Sequence, residues 1–400
     1  MSTVTRWNAL RVRLASSATT TESLALGAGT IAFLVVALIA LPVIGMHHVP
    51  IAGPGSLGEY VAIACAFAGF CAFIAGRYFS ATAHQHDGTG PAVIAGLEGP
   101  LVGITVHRAP RILDVAALSF AHGVICLLLW TGAADLLEQS FQGAEVYAIP
   151  AMLLSGAAAA VSAYFSYLSA AGMSTMRLSG VLLVFLVVGA LTSMLTSTDP
   201  EWWKMNLSAL GMTDDLSAMT FNLTLIVAGV IVTTIARYAT ASMMRVGEAV
   251  PRGVEVVRWG LVLIGICLAC VGIFPVDRFF AVHNTVATGM AVTFAVLVIG
   301  LPKFLPQMPK PFVSLGYAFI VVIATVAVFF AIGYYNLTAV ELVAAVLIFS
   351  WIIVFLRTVS AGSSDAAIAR GEAMRTAAAP RHAASATETA AAAPVSALVE

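Results

Sequence analysis

Ten runs of about 20 apolar residues, separated by short polar stretches, leave this chain little conformational choice. They lie near 24–46, 57–79, 112–133, 147–171, 178–196, 217–237, 256–275, 284–302, 312–334 and 339–356. A helix of that length is about 30 Å long, the thickness of a bilayer's hydrocarbon core. In hydrocarbon, backbone N–H and C=O groups have no water to turn to, so an apolar run of this length closes its hydrogen bonds as a helix. Charged residues make up 10% of the chain, against about 25% in soluble domains, so water could not solvate such a surface. The reading is all-α: a polytopic transmembrane helical bundle of about ten spans.

Charge placement orients it. Arg6, Arg11 and Arg13 precede the first run and put the N-terminus in the cytoplasm. With ten spans the C-terminus is cytoplasmic too. Of the 19 Lys and Arg residues, only Lys204 and Arg278 then fall outside. An error of one span would scramble that asymmetry. The first run lacks a convincing cleavage site and stays as a span. The outer loops are acidic, with Asp135, Glu138, Asp199, Asp214, Asp215, Asp277 and Glu341 among their residues, which reads first as solvation of loop ends. No basic face or recognition motif points to nucleic acid.

Four segments follow: a cytoplasmic start (1–23), four spans (24–171), six spans (178–357) and a tail (358–400). The tail is rich in Ala, Ser, Thr and Pro and is expected to be disordered and cytoplasmic. The fourth span, SGAAAAVSAYFSYLSAAG, carries small residues that let helices approach closely. Cys267 and Cys270 form a CxxC in mid-span, where a thiolate is poorly solvated; they read as packing residues. The inner stretch 80–110 contains His84, His86 and Asp87, an HxH-D pattern without the spacing of a closed zinc site, expected in a flexible loop. Residues 92–106 are too short and glycine-rich to span and read as re-entrant or interfacial. A faint echo of 55–64 in 208–218 is too short to be a repeat.

Two places carry polar chemistry. The first is outside, where 197–222 (STDPEWWKMNLSALGMTDDLSAMTFN) meets 274–284 (FPVDRFFAVHN). Its candidate residues are Trp202, Trp203, Asn206, Ser208, Asp214, Asp277, Arg278 and His283. The indoles suit the membrane interface. Thr213 or Asp214 is expected to cap the following helix. Asp277 and His283 in one short loop offer a proton relay, a metal half-site or a headgroup clamp. The second place is intramembrane: Asp114, Ser119 and His122 in the third span. Asp114 and His122 are expected on one face, with Asp114 near Arg111 at the cytoplasmic end. A neutral histidine bonded to a neighbouring helix is the plainer account of His122. No cofactor and no metal is expected.

Residues from about 178 to 357 resemble the bacterial integral-membrane proteins grouped as domain-of-unknown-function 998. The stretches that carry the resemblance are DPEWWKMNLSALG (199–211), FNLTLIVAGV (221–230) and GIFPVDRFFAVHN (272–284). It implies a six-helix membrane domain without an established reaction, preceded here by a four-span extension. The chain is more loosely similar to the Frag1/Sfk1 group of eukaryotic membrane proteins, linked to lipid and GPI-anchor handling. Related superfamilies of membrane hydrolases carry an intramembrane HxxxH-type pair, which no span here contains. The alanine-rich composition points to a high-GC bacterium and hence to a plasma (inner) membrane. The leading expectation is non-catalytic handling of lipid or lipid-linked envelope components, with membrane lipids as partners. A proton-coupled transporter using Asp114 and His122, and a lipid hydrolase using Ser208, Asp277 and His283, are the alternatives. Homo-oligomerisation and an envelope-protein partner both stay open at this stage.

Overall fold

Each apolar run becomes one long helix in the computed structural model, which describes residues 18–86, 108–241 and 251–362. The helices are α1 (Ala18–Ile44), α2 (Leu57–His86), α3 (Arg108–Ser140), α4 (Ala148–Ala171), α5 (Thr175–Leu195), α6 (Leu216–Ala241), α7 (Arg252–Ile273), α8 (Phe280–Phe304), α9 (Lys310–Ala331) and α10 (Leu337–Gly362). All 10 are long and apolar enough to cross a membrane, so this is a multi-pass integral membrane protein. The re-entrant expectation for 92–106 and the tail beyond 362 lie outside the described residues.

Up-and-down connectivity puts alternate loops at opposite ends, and the contacts agree with that alternation. At one end, the outer one by the charge-based expectation above, β1 (Val49–Pro50) of the α1–α2 loop pairs antiparallel with β2 (Glu145–Val146) of the α3–α4 loop. The α5–α6 loop meets the α7–α8 and α9–α10 loops there too, through bonds described below. At the inner end, Arg77 donates to the Ala170 carbonyl and Arg258 to the Thr240 hydroxyl.

Helix packing follows the small residues. A lipid tail is as apolar as a leucine, so helices associate through close contact and interhelical hydrogen bonds. At the α6–α7 crossing, a Cβ on Gly229 would lie 2.4 Å from the Gly265 carbonyl oxygen, and one on Gly265 would lie 2.7 Å from that of Gly229. Only glycine permits that approach. In the first four spans, α1 and α2 both pack extensively on α4 but touch each other little. The small residues Ala25, Ala72 and Ala163 meet with Tyr167 where these three helices converge.

One core runs from the four-span part into the six-span part. Leu118, Ala121 and Leu128 of α3 share a cluster with Phe185 of α5, Ile231 of α6 and Leu261 of α7. At its far side Trp351 of α10 stacks on Phe355 and Phe312, with ring centroids 5.5 and 5.3 Å apart. α9 lies at the edge, with few buried residues.

Candidate functional site

Two short 3-10 turns, Trp202–Lys204 and Leu207–Gly211, fold the α5–α6 loop back over the outer ends of α8 and α10. They bring Ser208 Oγ to 3.0 Å from His283 Nε2. The other ring nitrogen, Nδ1, lies 2.8 Å from the Phe274 carbonyl oxygen. A carbonyl only accepts, so Nδ1 carries a hydrogen, and in the tautomer with its single hydrogen there Nε2 accepts the Ser208 hydroxyl. Local structure explains the posture. α7 stops at Ile273, two residues before Pro275, and α8 restarts at Phe280. His283 therefore sits in the first turn of α8, buried and able to fold back on the chain end of α7.

The rest of the outer loop is anchored by two residues outside the expected site. Glu341 of α10 accepts the Leu207 N–H at 2.6 Å, and Asn336 donates to the Trp203 carbonyl at 2.8 Å. Both belong to a stretch about 130 residues downstream that no local pattern links to this loop. Asn206 Oδ1 and Thr338 Oγ1 are buried with no protein partner among the described residues. Trp203 is half exposed and Trp202 is partly buried, as interfacial indoles are.

Several expectations are corrected here. The cap of α6 is Asp215, not Thr213 or Asp214: Asp215 Oδ1 accepts the Ala218 N–H at 2.9 Å. The Thr213 and Thr198 hydroxyls also donate to Asp215, at 2.6 and 2.7 Å. Partial burial works to raise its carboxyl, but these donors outweigh burial and hold it below the usual carboxylate range. Asp214 is left to pair with Arg278 at 2.6 Å, and Asp277 also faces Arg278, at 3.7 Å. Asp277 thus does not join His283, and the relay between them does not form. Asp214 and Arg278 are well exposed, so that pair contributes at most about 1 kcal/mol. With Asn222 and Pro275 they line a small outer cavity of about 240 Å³.

The intramembrane residues separate as well. Asp114, Ser119 and His122 are all buried. Asp114 accepts from Arg237 of α6, a partner that sequence proximity to Arg111 does not suggest. His122 places Nε2 2.9 Å from the Ser169 hydroxyl of α4 and Nδ1 2.8 Å from its own helix's Leu118 carbonyl, beneath the Phe73 ring. Ser119 donates to Val115 within α3. Eight residues advance a helix by two turns plus about 80°, enough to send Asp114 and His122 to different neighbours. The HxH pattern is corrected too: α2 runs on through His86, so His84 and His86 lie on a helix rather than in a loop. Asp87 lies outside the described residues. Among the described residues no group of three metal-ligating side chains forms.

A further feature is one that sequence reading missed. Because α1 and α2 both lean on α4 without closing on each other, a lateral groove of about 1030 Å³ opens between them. Its floor is small, with Ala32, Ala64, Ala68 and Ala163; its rims are large and exposed, with Ile31, Val35 and Phe67. Apart from the Cys71 thiol, polar side chains appear only at the outer mouth: His47, His48, Ser56, Glu59 and Tyr60. Glu59 accepts the Gly55 N–H at 2.6 Å, and Ser56 Oγ accepts the Glu59 N–H at 3.1 Å, capping α2 at that mouth. The signal was present as alanines at four-residue spacing, 28 and 32 on α1 and 64, 68 and 72 on α2.

No family model, no curated protein and no solved structure matches the chain.

Proposed function

We propose that this integral membrane protein, placed in the plasma membrane, binds and handles lipid from the outer leaflet without changing it covalently. The observation that carries this reading is the α1–α2 groove: apolar along its length, open sideways to the bilayer, polar only at its outer mouth. Such a shape suits a ligand with a hydrocarbon body and a wet end. The resemblance of 178–357 to the domain-of-unknown-function 998 proteins belongs to the same proposal and assigns no reaction. Native mass spectrometry of the detergent-purified protein tests it. A lipid retained at one per chain, and lost in the groove-filling Ala64→Phe/Ala68→Phe variant with its thermal midpoint preserved, is the expected result. Equal lipid retention by the variant would overturn it.

One observation favours a second reading. Ser208 and His283 have the nucleophile–base geometry of acyl transfer, with the Phe274 carbonyl as orienting group. In that reading Ser208 Oγ attacks a lipid ester carbonyl, its proton passes to His283 Nε2, and the departing alcohol takes that proton back. Water then releases the acyl group. A fluorophosphonate probe that labels the wild type but not Ser208→Ala would support it; an unlabelled wild type would remove it.

A further inference from the structure

The groove is deeper than one leaflet. Its lining runs from Ala28 to Ile44 on α1 and from Ser56, the residue before α2, to Ala75 on α2. At about 1.5 Å of rise per residue these stretches are about 24 and 28 Å long. A helix tilt of about 20° shortens the depth by only a few per cent. Half of a hydrocarbon core of about 30 Å is about 15 Å. An ordinary lipid anchored at the outer mouth would fill the outer part and leave the inner part, floored by Ala28, Ala72 and Ala75, without a chain of its own.

Polarity decides which end holds the headgroup. Below the mouth the lining is entirely apolar apart from the Cys71 thiol. A headgroup drawn inward would lose its hydration and gain no hydrogen-bonding partner. The lipid is therefore held from outside, and the groove is not a path for carrying headgroups across. Inward, the lining stops at Ala28 and Ala75, beside the place where Ala25, Ala72, Ala163 and Tyr167 pack together.

We propose that the groove is a chain-length-selective site for a single outer-leaflet lipid whose hydrocarbon is longer than one leaflet is thick. Very-long-chain acyl lipids and isoprenoid lipids share that chemistry. This rests on the lipid-binding reading above and adds the class of chain.

The test uses the full-length protein in detergent with a ladder of defined lipids: a C16 phospholipid, a very-long-chain acyl phospholipid and a long polyprenyl phosphate, read out by native mass spectrometry. At least tenfold preference for one or both long-chain lipids over the C16 lipid is expected, and which of the two is retained identifies the source. In the Ala28→Phe/Ala75→Phe variant, which fills the inner end of the groove, the preference should vanish while C16 binding persists. Equal affinity across the ladder in the wild type would overturn chain selection and leave lipid binding standing. No binding of any lipid would overturn both. The wild-type ladder decides the matter alone if the plugged variant does not fold.

Discussion

Ser208 Oγ and His283 Nε2 lie 3.0 Å apart although 75 residues separate them in the chain. The bond ties the α5–α6 loop to the first turn of α8, and the Phe274 carbonyl fixes the ring from its other side. Interhelical hydrogen bonds in membrane proteins contribute about 0.6 kcal/mol on average and up to about 1.7. Ser208→Ala, which breaks one bond, should cost about 0.6 kcal/mol. His283→Ala breaks both and leaves the Phe274 carbonyl without its partner, so about 1–2 kcal/mol is expected. Thermal unfolding in detergent of both single variants and the double variant measures the coupling; strict additivity would mean the contact carries no energy.

The α6–α7 crossing is an unforgiving contact. Gly229→Leu or Gly265→Leu would drive a side chain into the facing backbone, so a loss of more than about 3 kcal/mol is expected, seen as aggregation on size-exclusion chromatography. Gly180 of α5 serves as the contrast, since a methyl group added there would meet nothing within 4 Å. Gly180→Ala should be neutral or stabilising by up to about 1 kcal/mol.

At the inner end, Arg237 stands beside a buried Asp114. Removing the guanidinium takes one charged partner from that buried carboxylate. Arg237→Met should cost about 1–3 kcal/mol, less than the about 3–5 of a fully buried pair because Arg237 is half exposed. Adding Asp114→Asn should recover part of that loss. A double variant less stable than Arg237→Met alone would show that the pair is not the source of the effect.

The Asp215 cap makes the outer loop sensitive to acid. Its carboxyl is held below the usual range by Thr213, Thr198 and the Ala218 N–H despite partial burial. A depressed group contributes stability that is fully present above its unfolded value, near about pH 4, and is lost as pH falls through the folded value. Neutral pH should therefore leave the loop intact, and unfolding should become easier only below about pH 4. Asp215→Ala should cost about 1 kcal/mol at neutral pH and abolish that acid-dependent component. An unchanged acid response in the variant would assign it to another group.

Every helix was legible in the sequence, and most ends agree within a few residues, because a backbone in hydrocarbon has one economical solution per apolar run. Orientation rests on the sequence alone: Lys and Arg distribute by membrane side whatever the packing. The outer loop was legible as a place but not as a geometry. Ser208 and His283 stood among its residues, yet nothing in 274–284 distinguishes the Ser208 contact actually made from the Asp277 contact that is not.

By itself, then, the sequence determined the number of spans and the ends at which polar residues gather, since hydropathy acts locally along the chain. Only the tertiary structure decided that Glu341 and Asn336 anchor the outer loop, that Asp114 turns to Arg237, and that α1 and α2 stand apart on α4. Those outcomes depend on the rotation and tilt of one helix against another. They are set by small residues packing across helices far apart in sequence, a relationship that no single apolar run contains.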